Sequence, residues 1–178
     1  MKFLAGVLTT LIAGAVVAAV IVFGGFYNVA ASEGHSAVGN WLLHTTMHYS
    51  VESRAEGMTV PANLVSDDRV QRGARAYDEM CASCHLKPGQ EESVIHTGLT
   101  PTPPRLDRPG HWSAAEQFWI VSNGIKMTGM PAWGPTHSEE ELWEVVAFLQ
   151  RLPELSEDEY SALVKTVPEG HEGHDHTH

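Results

Sequence analysis

The chain's only two cysteines, Cys81 and Cys84, stand three residues apart in the run EMCASCHLKP, and His85 follows at once. Two thiols and an imidazole packed that tightly suit a structural zinc, a dithiol redox couple or a covalently held haem. A structural zinc needs four ligands, usually from paired modules. Here one module lacks its mate, and His96 and His111 fall at no recognisable spacing from it. A thioredoxin-type dithiol follows a strand in a βαβ unit, whereas this motif ends a helical pattern. The haem reading uses all three residues. The thiols add across the two vinyl groups, the adjacent histidine binds iron, and Cys-x-x-Cys-His is the attachment signature for that chemistry. It further demands a second, distant ligand on a loop, for which KMTGMPAW offers Met127 and Met130.

Helices must position these groups. Ser66 or Asp67 can cap a helix in which Val70, Ala74, Tyr77 and Cys81 recur at helical spacing, and which runs straight into the cysteine motif. Gly73 within it costs stability relative to alanine, which makes sense where another helix comes close. Residues 86–112 carry no periodic pattern and read as a Pro- and Gly-rich ordered loop. Ser113 with Glu116, and Ser138 with Glu141, form two capping boxes. The first opens a helix that stops at Asn123-Gly124. The second opens one that carries Leu142, Val145, Val146, Leu149 and Leu152 on one face and stops at Pro153. Ser156 to Val164 allows a further short helix. No stretch alternates as a strand does, so the expected fold is all-α, with three or four helices joined by loops long enough to wrap a porphyrin.

The N-terminal segment is of another kind. After Lys2 no charged residue occurs until Glu33, and Phe3 to Tyr27 is apolar apart from Thr9 and Thr10. As a helix it would extend roughly 37 Å, enough to cross a hydrocarbon core of about 30 Å. Val29-Ala30-Ala31 would suit signal cleavage, but a signal core is typically only about 7–15 residues long. An uncleaved single-pass anchor is the expectation. Lys2 is the only basic residue before Arg54, which puts the N-terminus in the cytoplasm and the remainder outside. Eleven Lys and Arg against 22 Asp and Glu leave a net charge of −11, which argues against a nucleic-acid partner. The expected organisation is an anchor over 1–31, a juxtamembrane linker over 32–65, a haem domain over 66–153, and a short helix with a His-rich flexible tail over 154–178.

Over about Asp67 to Arg151 the sequence resembles the class I c-type cytochromes. The resemblance rests on Gly73 and Tyr77 in a first helix, then CASCH, then GMPAW, then Trp143 in a last helix. The MPAW flavour is similar to the haem c subunits of bacterial respiratory oxidases. It implies one haem c, attached through Cys81 and Cys84, with His85 and Met130 as the axial ligands of the iron. Met127 would pack against the ring. The first and last helices would cross near Gly73 and pack Tyr77 against Trp143. The carbonyl of the Pro103-Pro104 loop would accept a hydrogen bond from His85, and Trp133 and Trp112 would line the haem.

The implied function is single-electron transfer, without enzymatic turnover, in a protein held in the bacterial inner membrane with its haem domain in the periplasm. Its partners would be a quinol-oxidising donor and a terminal oxidase or reductase. Lys87, Lys126, Arg105 and Arg108 would make the haem face less acidic than the rest. Two other readings differ in class. A metal-handling protein would use a weak site at His171, His174, His176 and His178. A haem enzyme would need a labile distal ligand. His44 and His48, spaced i,i+4, could also chelate.

Overall fold

The computed structural model describes residues 2–165; the histidines of the tail, at 171, 174, 176 and 178, lie outside the described residues. The chain divides into two compact units between Glu33 and Gly34.

The first unit is helix α1, Lys2–Phe23, which buries no residue and is long and apolar enough to cross a membrane. Its two hydroxyls are accommodated locally. Thr9 Oγ1 donates to the Ala5 carbonyl at 2.9 Å and Thr10 Oγ1 to that of Gly6 at 3.1 Å. Neither threonine is therefore left with an unpaired hydroxyl donor.

The second unit is built from α2 (Ala37–Ala55), α3 (Asp67–Met80), α4 (Ala82–His85), α5 (Val94–Gly98), α6 (Ala114–Asn123), α7 (Glu139–Arg151) and α8 (Glu157–Lys165). A 3₁₀ turn, Leu152–Glu154, joins α7 to α8. No strand occurs among the described residues. The fold is all-α as expected, but with more short helices than the three or four anticipated.

The core forms where α3 crosses α7. A Cβ added at Gly73 would overlap the backbone carbonyl of Glu144, so only glycine admits this approach. One turn further along each helix, Tyr77 packs on Phe148 with ring centroids 5.3 Å apart. The expected Tyr77–Trp143 pairing does not occur. Trp143 stands about 100° around α7 from Glu144, and it stacks instead on Phe118 of α6 at 4.0 Å. Across the crossing Arg72 is paired with the buried Glu144, and along its own helix with Asp68.

Local signals set the helix ends as read. Both capping boxes are formed, at Ser113/Glu116 and Ser138/Glu141. Ser156 and Glu159 exchange the same bonds ahead of α8. Gly124 ends α6 at φ 63°.

The segment expected to be a linker, 32–65, holds the 19-residue helix α2, capped by Ser36. Its C-terminal half packs on α6 and buries Val51 and Ala55, while Leu64 joins the core. Downstream, α8 packs on α3 and buries Tyr160, whose hydroxyl donates to Asp78 at 2.8 Å. The packed unit thus extends beyond 66–153 at both ends.

Candidate functional site

α3 delivers the cysteine motif directly. Cys81 caps it, with its N–H donating to the Tyr77 carbonyl at 2.8 Å. The Cys81 carbonyl then accepts from the N–H groups of Cys84 (3.1 Å) and His85 (2.9 Å). This one-turn coil gathers both sulfurs and the imidazole within α4 and its cap.

So short a helix satisfies only its first carbonyl through its own cap, and separate parts of the chain supply partners for the others. The Ala82 carbonyl accepts from the Leu86 N–H at 3.0 Å and the His85 carbonyl from the Leu106 N–H at 3.3 Å. Ser93 Oγ donates to the Ser83 carbonyl at 2.5 Å, and His96 Nδ1 to the Cys84 carbonyl at 2.8 Å. The Tyr77 hydroxyl donates to the Leu86 carbonyl at 2.6 Å. Leu86 itself, fully buried, is held at φ 62°, a conformation that favours glycine. The motif is therefore clamped from α3, α5 and the loop after it.

The His85 ring is oriented as expected. Its Nδ1 lies 2.8 Å from the Pro104 carbonyl, which has no proton to give, so Nδ1 is the donor and Nε2 keeps the lone pair. Burial lowers the imidazole's pKa, against the Pro104 hydrogen bond, which raises it; the neighbouring His96 lowers it further. The neutral form that can ligate a metal is thereby favoured.

The two cysteines are not joined to each other. Burial, reinforced by Cys84, pushes the Cys81 thiol up to about 12. A dithiol redox couple works through a thiolate, which that setting disfavours at Cys81. Among the described residues no cluster of three or more His, Cys, Asp or Glu is arranged to hold a metal ion. Two free thiols beside an imidazole whose Nε2 keeps its lone pair fit covalent haem attachment better than either alternative.

The second loop is fastened to the end of α6. A Cβ at Gly124 would lie 2.7 Å from the Met130 carbonyl oxygen, and the Ile125 N–H donates to that oxygen at 3.3 Å. Thr128 closes the turn, donating through Oγ1 to the Ile125 carbonyl at 2.7 Å while accepting from the Met130 N–H at 3.1 Å. Gly129 abuts the Leu99 side chain, where a Cβ would come within 2.7 Å. Met130 is half-buried against the core.

Met127 is placed differently from Met130. It is 80% exposed at φ 64°, on the outside of the turn. Trp133 is half-buried on the core, edge-on to His137 at 5.3 Å. Trp112 packs between His48 (4.6 Å) and His111 (4.5 Å), and His48 stacks on His111 at 5.2 Å. His48 therefore docks α2 on the 111–112 loop, while His44 is exposed with its ring 6.3 Å from that of His48.

The expected positive face is partly neutralised. Lys87 is bound to Asp78 at 2.7 Å and lies over the Tyr160 ring. Arg105 is held by Asp107 (2.7 Å) and Glu91 (2.8 Å). Lys126 and Arg108 are exposed.

Sequence reasoning missed Ser93 and His96 as clamps on the cysteine motif. The spacing of a helix cap, Ser93 with the His96 N–H on its hydroxyl at 3.0 Å, was a legible signal; the reach of both side chains to residues 83 and 84 was not.

A family described as cytochrome c oxidase, cbb3-type, subunit III, matches residues 68–149. No curated protein matches the chain. The matched segment begins inside α3, ends inside α7, and contains the cysteine motif, the Pro104 loop and the Met130 loop. With that match and that arrangement, the segment is a class I c-type cytochrome domain, behind an N-terminal helix that fits a membrane anchor.

Proposed function

We propose that the protein is a membrane-tethered monohaem cytochrome c that carries single electrons between respiratory partners at the periplasmic face of a bacterial inner membrane. The observation that carries this reading is the His85–Pro104 hydrogen bond, which leaves Nε2 as the ring's one free lone pair beside two cysteine thiols. Cys81 and Cys84 would hold haem c through thioethers, and His85 Nε2 and the Met130 thioether would be the axial ligands. Bound haem supplies a one-electron iron couple, and methionine opposite histidine raises its potential. With His85 and Met130 both holding the iron, no position would remain for a substrate, so the protein would carry electrons without being an enzyme. Pro104 fixes the ring plane of His85, and Trp133, three residues after Met130, would pack on the haem. Only one attachment motif is present, consistent with one haem.

Lys2 as the sole basic residue before Arg54 supports a cytoplasmic N-terminus and a periplasmic haem domain. Tethering raises the effective concentration of the carrier near a quinol-oxidising donor and a terminal oxidase or reductase. The test is production of the full chain in a bacterium with haem-attachment machinery. Haem staining of a denaturing gel is followed by stopped-flow mixing of the reduced protein with membranes containing the oxidase. A stained band, absent in Cys81→Ala/Cys84→Ala, and oxidation by those membranes are expected. An unstained full-length chain would overturn the haem reading, and a stained chain inert towards both donor and oxidase would overturn the respiratory one.

A further inference from the structure

The first fifteen residues of α2 carry no Asp, Glu, Lys or Arg; between Glu33 and Glu52 no such residue occurs at all. Only the C-terminal part of the helix is buried, at Val51 and Ala55. Val38, Trp41, Leu42 and Tyr49 recur at i, i+3, i+4 and i+11, with Thr45 between, and so share one face. All four are exposed: Val38 by 73%, Trp41 by 64%, Leu42 by 55% and Tyr49 by 68%. The buried Val51 and Ala55 lie on a different side of the helix, so this apolar face is left without a partner by the fold.

We propose that this face of α2 lies in the headgroup region of the bilayer, as an interfacial helix that lays the unit it belongs to against the lipid surface. Three observations select lipid as the occupant. The chain from Phe23 to Ala37 is short and rich in Gly, Ala and Ser. A flexible chain of that length spans about 20 Å root-mean-square. The helix thus starts within reach of the membrane surface whenever α1 spans it. The composition is interfacial: Trp and Tyr, with apolar bodies and polar tips, accumulate where hydrocarbon meets headgroups. The absence of charge removes the desolvation cost that would keep such a face in water. The same absence means that the contact needs no anionic lipid, and salt leaves it unchanged. The inference rests on α1 being a membrane span and is independent of the electron-transfer reading.

The test uses the full holoprotein in phosphatidylcholine nanodiscs. Single cysteines for spin labelling are introduced at Val38→Cys, Leu42→Cys, Asn40→Cys and Leu11→Cys, one per variant. Peptide mass after labelling verifies that the label sits only at the new position. Accessibility to oxygen, which concentrates in lipid, is compared with accessibility to a water-soluble nickel chelate. Leu11 should read as deep hydrocarbon. Val38 and Leu42 should favour oxygen severalfold over the chelate, while Asn40, on the opposite side of the same turn, should read as aqueous. None of these readings should change when anionic lipid or 0.5 M salt is added, a concentration at which screening acts within about 4–5 Å. Aqueous readings at Val38 and Leu42 would overturn the proposal. Labels there that neither reagent reaches would overturn it too, by showing a protein partner or a second copy on the face. An aqueous reading at Leu11 would remove the anchor, and with it the inference.

Discussion

The Tyr77 hydroxyl donates to the Leu86 carbonyl at 2.6 Å, across nine residues of chain and in the interior of the domain. It connects the helix that delivers the cysteine motif to the first residue after it. Leu86 is held at φ 62° and is fully buried, so its conformation persists only because its surroundings determine it. Tyr77→Phe keeps the ring packed on Phe148 but leaves that carbonyl buried without a donor. The expected loss is about 1–3 kcal/mol of stability, read from urea unfolding of the haem-loaded protein. An unchanged midpoint would show that the bond contributes nothing.

Gly73→Ala tests the helix crossing. The added Cβ overlaps the Glu144 carbonyl, which is backbone and cannot swing aside. α3 and α7 must separate, at a cost of about 1–3 kcal/mol. The thermal midpoint should fall by several degrees, whereas Ala substitution at the exposed Arg75 of the same helix should move it little. Equal midpoints for Gly73→Ala and wild type would contradict the crossing described here.

Ligand identity separates the two methionines. Met130→His should retain covalent haem, shift the ferrous spectrum to bis-histidine character and lower the potential. Met127→Leu, at an 80% exposed position, should leave spectrum and potential as they are. Loss of the methionine–iron absorption band in Met127→Leu with its retention in Met130→Leu would reverse the assignment.

His96 is expected to position the attachment turn. His96→Leu withdraws the donor from the Cys84 carbonyl. The redox potential and the yield of attached haem should both fall, and His96→Asn, which keeps a donor, should restore part of each. A variant that loses stability alone, with potential and yield intact, would confine His96 to packing.

Acid sensitivity follows from two carboxylates. The Arg105 hydrogen bond holds Asp107 below its ordinary range, against burial. At Asp78 burial favours the neutral form, but the hydrogen bonds from Lys87 and Tyr160 outweigh it. Both groups have folded pKa values below their unfolded ones. Their stabilisation is therefore full above the unfolded value of about 4 and is lost as pH falls through the folded values. Unfolding midpoints measured from pH 6 downward should decline below about pH 4, and less steeply in Asp78→Asn/Asp107→Asn. Parallel declines would exclude both residues as the source.

What could be read along the chain was whatever is decided within one helical turn. The cysteine motif is one such feature, because Cys81, Cys84 and His85 are brought together by hydrogen bonds to a single carbonyl. The capping boxes at Ser113 and Ser138 are another, each closed by a side chain three residues on. The N-terminal helix is legible because its 22 residues form one apolar run with no charge after Lys2. Gly73 announced a close approach, but which atom approaches was settled by the register of α3 on α7. That register gave Tyr77 to Phe148 and left Trp143 to Phe118. The same holds for Lys87, whose partner Asp78 lies on α3, and for the clamp from Ser93 and His96. These pairings depend on how separate segments meet after the chain has closed, and residues far apart in sequence carry no spacing that records it.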